Sequence, residues 1–299
     1  LEIAVFLEYL WYFASLTAFV LWLQRTNWAR KAFENAPGRK HHLKLADILF
    51  MVLLYIVVSL VVATLLTGTT SKESWPKRNI AYLTLAAGQL MTAGVIIFIA
   101  QRRFVSGYKG FGINRCDLGK NIGRALFYFF IATGLTFLIL AATIKIGELL
   151  GCEKIQKHAF LELLSEKPPL SSMILLLINP ALIAPIMEEL LFRGVLQSYI
   201  INLLNRTGIT RIADPVDDII NSSAEDNILP RYRWTGITIV AALFALAHAQ
   251  WQHMPALMVL GLALGYCYER YGNLIVPILM HSLFNILPLA ITISQPQAP

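Results

Sequence analysis

Apolar residues fall in eight runs, about 3–24, 45–67, 79–100, 122–150, 171–203, 235–250, 255–271 and 274–294, separated by polar stretches. Several reach the roughly 20 residues needed to cross a hydrocarbon layer as helix. Lipid offers the backbone no hydrogen-bond partners, so each run is predicted to be helical. The pattern therefore predicts an all-α fold, a polytopic membrane helix bundle of about eight transmembrane helices. The fifth run is long, is interrupted by Pro180 and Pro185, and carries charges near its middle. The sixth and seventh are short, fit to tilt or to end inside the protein. The first lacks a basic leader and is too long for a signal-peptide core, so it too is read as a membrane helix. No internal repeat and no low-complexity tract stands out.

Composition supports this reading. Of 299 residues, 57% are hydrophobic and 14% charged, with mean hydropathy +0.60. A soluble domain averages about a quarter charged residues, so a disordered chain is excluded and the composition argues against a soluble single-core enzyme. The net charge of +7 raises nucleic acid as a partner, but the basic residues sit in the gaps between apolar runs and no basic-aromatic array appears. No nucleic-acid partner is expected; the lipid bilayer is. Cys116, Cys152 and Cys267 have no ligand or disulfide spacing.

The gaps also predict orientation. Those at 25–44, 101–121 and 204–234 and the turn at Arg270 hold sixteen Lys and Arg, against six in the alternate gaps. The positive-inside rule then places both termini outside and these four connections in the cytoplasm. The 204–234 loop, with DPVDDIINSSAEDN, reads as a solvated, mobile connection, with substrate gating as the alternative. The 151–170 stretch, with Phe160, Leu161, Leu163 and Leu164 among charges, reads as a short amphipathic piece at the outer interface.

Ionisable groups inside spans are costly and usually face a bundle interior or a wet cavity. Here they are grouped in three places: Pro185-Ile186-Met187-Glu188-Glu189-Leu190-Leu191-Phe192-Arg193-Gly194, Phe244-Ala245-Leu246-Ala247-His248, and His281-Ser282-Leu283-Phe284-Asn285. Glu189 and Arg193 are four apart with the acid first, the favourable order for a helical ion pair. Glu188 lies about 100° around that helix, so Arg193 serves the two acids unequally. Glu188 is therefore the candidate for chemistry and Glu189 for structure. His281 and Asn285 share a face, as do Phe244 and His248, where Phe244 can wall a pocket and fix the imidazole. Helical rise places His281 roughly 12 Å in from the cytoplasmic end of its span, with His248 somewhat deeper. A recessed cavity facing the cytoplasm fits both.

Each group alone has a plainer reading. A lone Glu–Arg pair is more often structural, and a single His or Asn usually packs helices by hydrogen bonding. Six polar groups on three helices, with no comparable cluster elsewhere, favour function. Glu8, Asp47, Glu148 and Glu269 lie near span ends, within reach of the interface. His41, His42 and His158 are loop residues, and His253 lies in the outer turn.

EELLFRG (188–194), FALAH (244–248) and HSLFN (281–285) resemble the EExxxR, FxxxH and HxxxN motifs of the CPBP family of intramembrane glutamic endopeptidases, which includes CAAX prenyl proteases and bacteriocin-processing relatives. The resemblance covers about residues 110–292 and extends to the eight-span count. It divides the chain into N-terminal transmembrane helices (1–110), a protease-like core (111–294) and a tail (295–299). It implies a multi-pass protein of the cell membrane that hydrolyses a peptide bond near the C-terminus of a membrane-associated protein or peptide, prenylated or not. Peptide hydrolysis needs an activated water, an oxyanion donor and a proton for the leaving amine. Glu188 would be the general base, with His248 binding and orienting the water. His281 and Asn285 would donate to the oxyanion. Glu189, Arg193 and Phe244 support the site. No cofactor and no metal is implied, although two His and one Glu could also make a three-ligand zinc site with an open position. That alternative lacks HExxH and would need another base. The remaining alternative is a non-catalytic scaffold or immunity protein of the same fold.

Overall fold

A computed structural model describes residues 2–67, 74–113, 117–151, 163–164, 166, 168–209, 228–248 and 251–294. Helices stand at all eight expected places: α1 (Glu2–Arg25), α2 (Leu45–Thr67), α3 (Trp75–Arg103), α4 (Leu118–Leu149), α5 (Leu170–Ile209), α6 (Pro230–Ala247), α7 (Met254–Tyr271) and α8 (Ile275–Ser294). Among the described residues no strand forms, and five helical stretches are long and apolar enough to cross a membrane: Phe6–Arg25, Trp75–Arg103, Leu118–Leu149, Leu170–Thr207 and Ile275–Ser294. The chain is an all-α membrane bundle. The polar 204–234 stretch is shorter as a connection than the sequence suggests, because helix continues to Ile209 and resumes at Pro230. Its DPVDDIINSSAEDN segment lies outside the described residues, as do Phe160 and Leu161, His158, Cys116, Cys152 and the 295–299 tail.

Pro180 and Pro185 do not break α5. Each lacks an N–H, and the chain absorbs the loss by widening to a π-helix at Asn179–Ile183, returning to α at Ala184–Glu189, and widening again at Leu190–Gln197. Ala184 N–H accordingly bonds Asn179 O, five residues back. Such widenings occur often at functional sites.

The helices form two compact units. One combines α1, α4, the Phe192–Ile209 part of α5, α6 and α7. Here α7 carries Gly261 and Gly265, a small-xxx-small spacing that lets helices approach closely. A Cβ at Gly261 would stand 3.0 Å from Ala241, and one at Gly265 2.7 Å from Gln197 Oε1 and 2.9 Å from Ile237. Gly265→Leu is therefore expected to overpack this contact and destabilise by about 1–3 kcal/mol. Thermal unfolding in detergent checks it, with Gly123→Ala, at a position open to 4 Å, as the neutral control. Gly272 ends α7 in the left-handed region at φ 60, its N–H on Tyr268 O.

This unit also buries an ion cluster. Glu269 accepts from Arg39 Nη1 at 2.7 Å, Arg233 Nη1 at 2.7 Å and Gln197 Nε2 at 3.1 Å. The side chains of Arg39, Arg233 and Glu269 are 9%, 3% and 1% exposed. Spare guanidinium nitrogens hold the carbonyls of Tyr268, Ala36 and Pro37. The expectation that Glu269 reaches the interface is thus corrected. Its position near the end of α7 allowed that path, but two cations from other segments converge on it instead.

The second unit combines α2, α3, the Leu170–Leu191 part of α5, and α8 from Ile278. Tyr82, Leu164, Leu176 and Leu289 form its buried cluster, with Leu163 packed against it. Leu163 and Leu164, the described part of the amphipathic piece, therefore pack onto helices. Arg78 bonds Glu166 at 2.6 Å and lies over the Trp75 ring. Asp47 is held by Arg103 through two contacts, Nε at 2.8 Å and Nη2 at 2.9 Å. Glu8 and Glu148, by contrast, are exposed as expected, partnered by Tyr12 and Lys145.

Candidate active site

The stretch between the two π-helical widenings ends in Glu188 and Glu189, and α8 presents His281 to both. Both acids are the last residues of α-helical Ala184–Glu189, and the π-helical turn at Leu190–Gln197 follows directly. His281 Nδ1 lies 2.9 Å from Glu189 Oε1, and His281 Nε2 lies 3.8 Å from Glu188 Oε2. Glu189 is fully buried, His281 3% exposed and Glu188 14% exposed at the side chain. A carboxylate accepts, so Nδ1 carries the proton that it donates to Glu189, which fixes the ring's orientation. The 3.8 Å gap is longer than a hydrogen bond. Glu188 Oε2 is buried without a hydrogen-bond partner among the described residues.

Asn285, one turn further along α8, donates from Nδ2 to Pro180 O at 2.8 Å. The reason lies in α5. In the π-helical register that carbonyl would take the N–H of residue 185, which is proline. Asn285 satisfies the group that Pro185 leaves open, and an amide's second N–H remains for other use. The sequence pairs Asn285 with His281 on one face, and the structure adds that the amide is anchored to backbone. Tyr55 of α2 lies within Coulombic reach of Glu188. This phenol comes from the N-terminal hundred residues, and no spacing signal in the sequence links it to the acids.

In the other unit, α6 ends at Ala247 and His248 is the residue that caps it. The sequence places this helix at 235–250, with His248 inside the span; the observed helix starts five residues earlier, at the Leu229–Pro230 junction, where proline suits the first turn. His248 Nδ1 lies 2.8 Å from Phe244 O. A carbonyl only accepts, so Nδ1 bears the proton and Nε2 of the neutral ring is left with its lone pair. Phe244 is fully buried and meets the imidazole edge-on at 4.6 Å between centroids. Phe244 thus touches the ring both through its side chain and through its carbonyl. His253, in the turn after α6, is held below the usual imidazole range, first by burial and then by the positive charge that His248 can carry.

Arg193 is fully buried, stacks over Phe244 at 4.4 Å and points Nη2 toward Gly261 O at 3.5 Å. One turn on, Gln197 Nε2 donates to Gly265 O at 3.0 Å and to Glu269. Arg193 and Gln197 thus descend α5 in step with Gly261, Gly265 and Glu269 on α7, each series spaced by four. Both spacings are legible in the sequence and went unused there: Gln197 follows Arg193 by four, and GLALG precedes Glu269 by four. Among the described residues, no three His, Cys, Asp or Glu side chains are grouped as metal donors.

Residues 170–287 match the family described as type II CAAX prenyl endopeptidase Rce1-like. No curated protein and no solved structure matches the chain. The matched segment contains all three motifs that suggested the resemblance, from EELLFRG through HSLFN.

Proposed function

Residues 170–287 carry an Rce1-like, CAAX protease-type domain, and from that premise we propose that this integral membrane protein is a glutamic intramembrane endopeptidase. Its substrate would be a membrane-associated protein or peptide, prenylated or not, cut near its C-terminus. The observation that supports this reading is the Glu188 carboxylate, 14% exposed at the side chain, whose Oε2 has no hydrogen-bond partner among the described residues and faces His281 Nε2 at 3.8 Å.

In this scheme Glu188 takes a proton from water, whose oxygen forms a bond to the scissile carbonyl carbon. The negative charge moves to the carbonyl oxygen. His281 can donate to it from Nε2 only as the imidazolium, since Nδ1 already gives its proton to Glu189. The second N–H of Asn285 adds a donor. Glu188 then passes its proton to the leaving nitrogen as the C–N bond breaks. His248, with its Nε2 lone pair free, accepts from the attacking water and orients it. The sixteen-to-six split of basic residues supports a site reached from the cytoplasm, and a cell-membrane location accords with it.

A digestion of C-terminally varied peptides, farnesylated and plain, in proteoliposomes tests this. Wild type is expected to cut near the C-terminus, equally before and after chelation, and His248→Ala to lose about 10²-fold or more in rate. Activity lost on chelation and restored by zinc would replace the glutamate mechanism with a metal one. Cleavage by none of the preparations, on any peptide, would favour the scaffold reading.

A further inference from the structure

A cavity of about 780 Å³ lies within the unit built from α1, α4, α6 and α7. None of the candidate catalytic residues lines it. One end is ringed by Trp22, Tyr128, Trp234 and Tyr266: Tyr266 stacks on Trp234 at 5.9 Å and meets Trp22 and Tyr128 edge-on at 5.1 and 5.6 Å. From there the walls run along α4 to Ile139 and back along α7 to Val259. We propose that this slot holds one acyl chain of a membrane phospholipid, with the headgroup phosphate beside Arg30.

The lining decides against water. A buried water needs two to four polar partners. At the aromatic end, Trp22 Nε1 donates to Tyr266 Oη, and Tyr128 Oη accepts from Tyr271 Oη, so these groups are engaged within the protein. Beyond the ring the walls named by Ala132, Leu135, Ile139, Val259 and Ala263 offer hydrocarbon alone. An apolar occupant remains.

Length and polarity say which one. Tyr128 to Ile139 is eleven residues of α4, about 16 Å at the helical rise. That is the depth of one leaflet, half of a hydrocarbon core of about 30 Å. Trp and Tyr concentrate where the core meets the headgroups, so the aromatic ring marks the headgroup end. Trp28, 72% exposed, stands at that same mouth. Among the described residues, Arg30 is the one charged side chain in the lining, and it is exposed. Arg25 and Lys31 flank it in sequence. A phosphate at the mouth finds complementary charge, and a chain of leaflet length finds the slot.

Native mass spectrometry of the full protein extracted from liposomes tests this. With phosphatidylglycerol liposomes, wild type is expected to retain one phospholipid per chain, and to prefer it over phosphatidylcholine in mixed vesicles. Ala263→Phe, which fills the slot from its wall, should retain none. Arg30→Glu, a surface change that leaves the slot intact, should lower the preference for the anionic lipid about fivefold. Glu188→Gln should retain lipid as wild type does, so a failed peptidase assignment leaves this result untouched. The proposal is overturned if wild type retains no lipid, if Ala263→Phe retains it at the same stoichiometry, or if a farnesylated peptide displaces it one for one, which would make the slot a substrate-tail site.

Discussion

Glu188→Gln should reduce kcat/KM in proteoliposomes by about 10²–10⁴-fold, the range that general-base catalysis contributes, with KM little changed. Glutamine keeps the size of the side chain and an oxygen that accepts a hydrogen bond, but it cannot take a proton from water. The loss should therefore appear in kcat, and the protein should keep its yield and melting temperature. The neighbouring acid makes the contrast. Glu189 holds His281 Nδ1, so Glu189→Gln retains an acceptor for it and should cost far less in rate. A Glu188→Gln enzyme within about threefold of wild type would remove Glu188 from the reaction.

The second large effect belongs to Glu269. Removing one partner of a buried ion pair costs about 3–5 kcal/mol, because the remaining charge stays buried without compensation. Glu269→Ala leaves two guanidinium groups, those of Arg39 and Arg233, with side chains 9% and 3% exposed. It also takes an acceptor from Gln197. We expect loss of monodisperse protein in detergent, or a fall in melting temperature larger than for any single substitution at the candidate active site. Glu269→Gln should be nearly as damaging, since the amide preserves shape but not charge. Replacing Arg39, Arg233 and Glu269 together by methionine should recover part of the loss, as apolar replacement of buried ion clusters does elsewhere. An Ala variant as stable as wild type would show that water reaches the cluster.

The damage from Glu269 should also differ in kind from that of Glu188. Arg39 lies in the connection between α1 and α2, Arg233 on α6 and Glu269 on α7, so the cluster ties a loop to two helices. Its loss should lower activity only in proportion to folded protein. Specific activity of the surviving fraction separates the two effects.

What the chain by itself determined is the set of helices and the three clusters of polar residues proposed to carry chemistry. Lipid forces every apolar run to close its own backbone hydrogen bonds, so eight runs became eight helices. The cost of burying ionisable groups made the EELLFRG, FALAH and HSLFN clusters conspicuous wherever those helices packed. Helical period also put His281 and Asn285 on one face, and Phe244 beside His248. Partners were another matter, because periodicity states which way a side chain faces on its own helix and nothing about what another helix brings opposite. Only packing decided that His281 bonds Glu189 and faces Glu188, or that two arginines from distant segments bury Glu269. The same holds for Asn285: the carbonyl it satisfies exists because two prolines widened α5 instead of ending it. That outcome depends on neighbouring helices holding the turn together, which no local pattern encodes.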